Sequence, residues 1–175
     1  MNNKDMKIVK KKIKEPLSNF DLVRAITKDM KIRGNVYDTR DIDSANDIED
    51  IFKGRAHTIL FEENPNPNED IGHFTVLLRN HGNGGTCIYF DSYGDRLKNQ
   101  KLRQILGSKY HTIQYNPHRF QDYGDSSCCG RYALSGVALN KIIPDLNVLD
   151  IVNFLKNKPK KLSYDEYITY LTKEV

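Results

Sequence analysis

The chain has 175 residues, 38% hydrophobic and 29% charged, with a net charge of +4. That length suits one domain with a real core, no apolar run approaches the roughly 18 residues of a membrane span, and the charge is too mild to mark the whole body as a nucleic-acid binder. Three cysteines, an odd number, and a first segment without the apolar stretch of a secretory signal argue against a disulfide framework and for a reducing compartment.

In chain order, KIVKKKIK (7–14) concentrates part of the positive charge. Residues 1–14 are read as a solvated basic tail. Through Lys10, Lys11, Lys12 and Lys14 such a tail can also contact nucleic-acid phosphates weakly. Pro16 closes it, and 15–175 reads as a single domain. Ser18 and Asp21 form a capping signature ahead of Leu22, Val23, Ile26 and Met30 at helical spacing, with Gly34 as the stop. A short acidic helix is expected over 44–53, stopped by Gly54. HTILFE (57–62) reads as a strand and NPNPNED (64–70) as a loop. GHFTVLLR (72–79), NHGNGG (80–85) and TCIYFD (86–91) read as a hairpin. Asp95 is a candidate cap for a helix over 96–106, ended by Gly107. HTIQY (111–115) is a further strand. CGRYALSGVALNKII is a helix with small residues on one face, stopped by Pro144. Two more helices follow, over about 147–157 and from a Ser163–Glu166 capping box. Helices, then antiparallel strands, then helices indicate the α+β class.

Two of the three cysteines are adjacent, in QDYGDSSCCGRYAL (121–134). The C-x-x-C spacing of redox and zinc sites is absent. Adjacent cysteines cannot easily close an unstrained disulfide or chelate one metal, and no H-x-x-x-H pattern supplies other ligands. No metal and no cofactor is therefore expected. Cys87, within a strand, and Cys128 read as small core side chains. Cys129 sits where a polar loop meets a helix, and the positive end of a helix favours a thiolate. On local context it reads equally as a core thiol or a nucleophile. Gly130 after it allows a close approach by a substrate backbone.

A thiol nucleophile needs a base, and the base an orienting group. Opposed residues in an antiparallel hairpin have a constant index sum. A turn centred at or just after Gly82 puts His73 opposite Asp91 or Ser92, giving an imidazole a carboxylate neighbour. His57, His81, His111 and His118 gain no acid by so simple a route. Gln121, eight residues before Cys129, can offer an amide donor to an oxyanion, with the Cys129 N–H as a second donor.

The order His73-Phe74, then Asp91 in FDSYG, then Gln121 and Cys129-Gly130, resembles that of adenovirus maturation proteases and the Ulp1-like cysteine peptidases. The resemblance covers about residues 71–140. It is nearest to the viral branch, shared by adenoviruses, other large DNA viruses, virophages and related transposons. It implies an α+β fold in which a helix carrying the cysteine packs on a small mixed or antiparallel sheet carrying the histidine and acid. By the same resemblance His73 is general base and then acid, Asp91 orients it, Cys129 is the nucleophile and Gln121 belongs to the oxyanion hole. The implied substrates are viral capsid or core precursors cut at glycine-containing sites, in the host cytoplasm, virus factory or virion. Relatives that remove ubiquitin-like modifiers, and acyltransferases of the same clan, are the alternatives. The chain departs from the family pattern at Phe74, where Trp is usual, and in a slightly long interval from Gln121 to Cys129, which leaves Gln114 as a second choice. Cys128 beside the nucleophile position is a third departure.

Overall fold

The computed structural model describes residues 3–31, 35–62, 72–80, 85–122 and 127–175. The expected 64–70 loop, Gly34, His81 and the centre of the hairpin turn lie outside the described residues. The helices are α1 (Asn3–Lys12), α2 (Asn19–Arg24), α3 (Ile48–Phe52), α4 (Gln100–Lys109), α5 (Cys129–Ile142), α6 (Val148–Lys156) and α7 (Tyr164–Leu171). The strands are β1 (Val36–Asp38), β2 (His57–Glu62), β3 (His73–Arg79), β4 (Thr86–Phe90) and β5 (Thr112–Tyr115). They form one sheet in the order β1-β2-β3-β4-β5, antiparallel at its centre and parallel at both edges. The expected α+β class, with a mixed sheet against a helix that begins at Cys129, is what the chain adopts.

Alternation along the strands sorts the side chains into two cores. On one face Ile59, Val76, Leu78, Ile88 and Phe90 meet Tyr132, Ala133 and Val137 of α5, with α2, α6 and α7 around them. On the other face Leu60, Leu77, Cys87 and Tyr89 meet Ile51 and Phe52 of α3 and Leu102, Ile105 and Leu106 of α4. Helix α5 is thus a central element, buried along most of its length. Gly136 is what lets it lie close to the sheet: a Cβ there would sit 3.1 Å from Val76 Cγ1.

Several boundaries moved. Helix α4 starts after Asn99, which caps Leu102 N–H; the expected cap, Asp95, instead binds Lys98. The helix expected over 44–53 shortens to α3, capped by Asp47, and a separate 3-10 turn at Thr39–Ser44 precedes it. Strand β1 was not foreseen: three residues paired in parallel at a sheet edge carry almost no periodic signal. Among the described residues no helix is long and apolar enough to cross a membrane.

The basic N-terminal segment is not a solvated tail over residues 3–12. It is α1, with Val9 buried and Asp5 bound to Lys173 at 2.8 Å. Lys12 turns inward and donates to the carbonyls of Lys173 (2.6 Å) and Val175 (2.7 Å). Beneath it lies Arg131 of α5, 1% exposed. Its guanidinium donates to Thr172 O and Oγ1 (both 3.2 Å), where α7 ends, and to Lys12 O (3.3 Å), where α1 ends. Helix carboxyl ends carry partial negative charge, so two of them solvate one buried cation. Arg131→Ala would strand these carbonyls and leave a void. It is expected to cost about 3 kcal/mol, read by thermal or urea unfolding; an unchanged midpoint would contradict this role.

Candidate active site

The hairpin brings His73 and Asp91 together, though by a different register from the simple one. The pairing Val76↔Phe90, continued past the end of β4, puts Tyr93 and not Asp91 opposite His73. Tyr93 accordingly stacks on the imidazole, with ring centroids 4.3 Å apart and planes 15° apart. Asp91 reaches the ring diagonally, its Oδ1 2.7 Å from His73 Nε2. Both are largely shielded, their side chains 19% (His73) and 4% (Asp91) exposed.

Asp91 is fixed by a turn. Gly94 N–H closes it onto Asp91 O at 2.9 Å, and Tyr93 N–H donates to Asp91 Oδ1 at 2.8 Å. Gly94 has φ +74, and a Cβ there would lie 3.1 Å from the His118 backbone, so the position demands glycine twice over. Buried Asn116 then clamps the main chain: its Oδ1 accepts Asp91 N–H (2.9 Å), while its Nδ2 donates to Asp91 O (2.7 Å) and His118 O (2.9 Å). Loop 116–121 is thereby tied to the turn that bears the acid.

Cys129 opens α5 and is 2% exposed. Its thiol is close enough to His73 to interact with the ring. Nε2 is taken by Asp91; the other ring nitrogen, Nδ1, is buried and makes no hydrogen bond among the described residues. Burial alone would lower the His73 pKa. The hydrogen bond His73 donates to the Asp91 carboxylate, then the interaction with the Cys129 sulfur, outweigh burial and raise it to about 9. The ring is therefore an imidazolium at neutral pH, between a carboxylate and a sulfur at a helix N-terminus.

Cys128 does not compete for this place. Its thiol points to Thr169 Oγ1 (3.7 Å) and Ile13 O (3.8 Å), on the side of α1 and α7. Cys87 lies within β4, where burial pushes its thiol up to about 12. Gly130 serves a different purpose from the one expected: its missing side chain makes room for Leu17 and Leu22, 3.4 and 3.3 Å from a hypothetical Cβ, and not for a substrate. Gln121 is buried and joins the turn beside Asp91, its N–H donating to Ser92 O (3.1 Å) and its Oε1 accepting from Ser92 Oγ (2.8 Å). Gln114 is committed elsewhere, accepting Val148 N–H at the start of α6 (2.9 Å).

The other described histidines stay apart from carboxylates. His57 is buried at the far end of β2, where desolvation and then the charge of Arg55 lower its pKa to about 4. His118 packs edge-on against Phe120 and Tyr164. Three groups near the site had no single-residue signal: Tyr93, Asn116 and Glu62. Glu62 is the cross-strand partner of His73, and burial raises its pKa. No group of three or more metal-capable side chains gathers among the described residues.

No protein-family model matches the chain, and no curated protein matches it. Among solved structures, the ASFV pS273R protease aligns with 90% of this chain and 68% of its own at 12% identity, with a TM-score of 0.55. The two share a fold. The effector protein ChlaDUB of Chlamydia abortus aligns over 96% of this chain and 98% of its own at 14% identity; its TM-score of 0.39 is too low to argue from.

The raised pKa of His73 sets a testable sign. Its folded value lies above the unfolded one, so the stability it contributes is complete below pH about 6.5 and is lost as pH rises through about 9. Asp91→Asn should lower the His73 pKa in an NMR titration and shrink this pH-dependent stability. A His73 that titrates identically in both proteins would show that Asp91 does not govern it.

Proposed function

We propose that the chain is a cysteine peptidase with Cys129 as nucleophile, His73 as base and acid, Asp91 as its orienter and Gln121 as an oxyanion donor. The observation that carries this reading is one imidazole held by Asp91 through Nε2 and close enough to the Cys129 sulfur at the start of α5 for the two to interact. The shared fold with a viral protease supports it.

The chemistry follows from these positions. The Cys129 thiolate adds to the scissile carbonyl carbon, and the carbonyl π pair becomes an oxyanion. On collapse the C–N bond breaks, and the His73 imidazolium gives its proton to the departing amine. A thioester on Cys129 remains. Water then adds to it while giving a proton to His73; collapse breaks the C–S bond, releasing the carboxylic acid and restoring the thiolate–imidazolium pair. Asp91 keeps the ring oriented throughout.

For the substrate we propose virion capsid or core precursors, cut at glycine-containing sites during maturation. The viral resemblance of the His73, Asp91, Gln121 and Cys129 pattern supports this choice. A second, weaker contact with nucleic acid is proposed for α1 and the residues after it. Lys10, Lys11 and Lys14 stay exposed there, whereas Lys12 is engaged with the chain's own C-terminal carbonyls. Binding of this kind would fade as salt is raised.

The test is incubation of candidate precursor proteins with the wild type and with Cys129→Ala. Discrete cutting by the wild type alone, with a new C-terminus at or near glycine, is expected. Release of ubiquitin-like modifiers from conjugates, with precursors left intact, would overturn the maturation role. Turnover should also fall on the alkaline side as pH passes about 9, where His73 loses the proton the leaving amine needs. An alkaline limit insensitive to Asp91→Asn would contradict the assignment.

A further inference from the structure

A glutamine amide serves an oxyanion only when its N–H end faces it; the carbonyl end must be held elsewhere. In this chain the holder is visible. Ser92 Oγ donates to Gln121 Oε1 at 2.8 Å, and both residues are only 1% exposed. With Oε1 held by Ser92, the rotation of the Gln121 amide is set by that residue. Ser92 also registers the backbone of the same segment, since its carbonyl accepts the N–H groups of Phe120 (2.9 Å) and Gln121 (3.1 Å). Three hydrogen bonds therefore join one small residue to the loop that carries the glutamine.

Ser92 directly follows Asp91, whose own N–H and C=O are held by Asn116. The acid and the amide are thus placed by one hydrogen-bonded unit, made of the Asp91–Gly94 turn and loop 116–121. A side chain that only filled space at position 92 would need no hydroxyl. This one gives its proton to the atom that sets the amide's orientation.

We propose that Ser92 is a positioning residue that orients the Gln121 amide toward the oxyanion. The inference rests on the peptidase reading above. Its test uses the full chain, turnover of a peptidyl-Gly-Gly-aminomethylcoumarin, and alkylation of Cys129 by iodoacetamide. Alkylation displaces iodide at a methylene carbon and develops no oxyanion, so it reports on the cysteine and histidine alone.

Ser92→Ala is expected to lower kcat by about tenfold or more with KM little changed, a fraction of the roughly 100-fold or greater loss expected on removing the donor itself in Gln121→Ala. Alkylation of Cys129 should be unaltered in Ser92→Ala. The double variant should be no slower than Gln121→Ala alone, because Ser92 acts through that amide. Turnover of Ser92→Ala equal to the wild type would overturn the proposal. So would a double variant that multiplies the two single losses, or an alkylation rate that falls together with turnover, which marks a merely structural role. A wild type with no turnover dependent on Cys129 sinks the peptidase reading itself, and this inference with it.

Discussion

A single 2.7 Å hydrogen bond, from His73 Nε2 to the Asp91 carboxylate, sets the chemistry available at this site. A partly buried imidazole would ordinarily give up its proton more readily than one in water. Here the carboxylate reverses that tendency and takes one of the two ring nitrogens, Nε2. Asp91 is held in place by what surrounds it: a turn amide on the carboxylate and an Asn116 clamp on its main chain. Tyr93 then covers the ring from one side.

The nucleophile arrives from a different part of the chain and is anchored separately. Helix α5 is pressed onto β3 at Gly136, and α2 lies across its first turn at Gly130. From behind, Arg131 gathers the ends of α1 and α7. These contacts fix the rotation of α5 about its axis, and that rotation decides which of two adjacent thiols meets the histidine. Cys128 is turned toward Thr169 and Cys129 toward His73. The N-terminal basic helix therefore belongs to the support of the site, with only part of its charge left for a partner.

Much of this was legible in the sequence, for reasons that can be named. The hairpin declared itself by two β-prone runs around glycines, and that alone brought His73 near an acid. Its register slipped because the turn's length cannot be read from NHGNGG, and the slip hid Tyr93 as the residue opposite the histidine. Helix α5 was clear from its small residues and its proline stop. The family resemblance favoured Cys129 over Cys128; what the sequence did not show is the packing that turns the Cys128 thiol to Thr169. Asn116 and Ser92 were silent because single polar loop residues carry no periodicity. Val9 and Lys12 were misread because a basic segment that docks by one apolar side chain looks like a solvated one.

The central claim is that His73 activates Cys129. The most direct measurement is the rate of iodoacetamide alkylation at pH 6, resolved by peptide mass spectrometry for Cys87, Cys128 and Cys129, in the wild type and in His73→Ala. The account predicts that Cys129 reacts at least about tenfold faster than the other two thiols and that removing the imidazole abolishes the advantage. Equal rates at all three cysteines, or a Cys129 rate indifferent to His73, would contradict it.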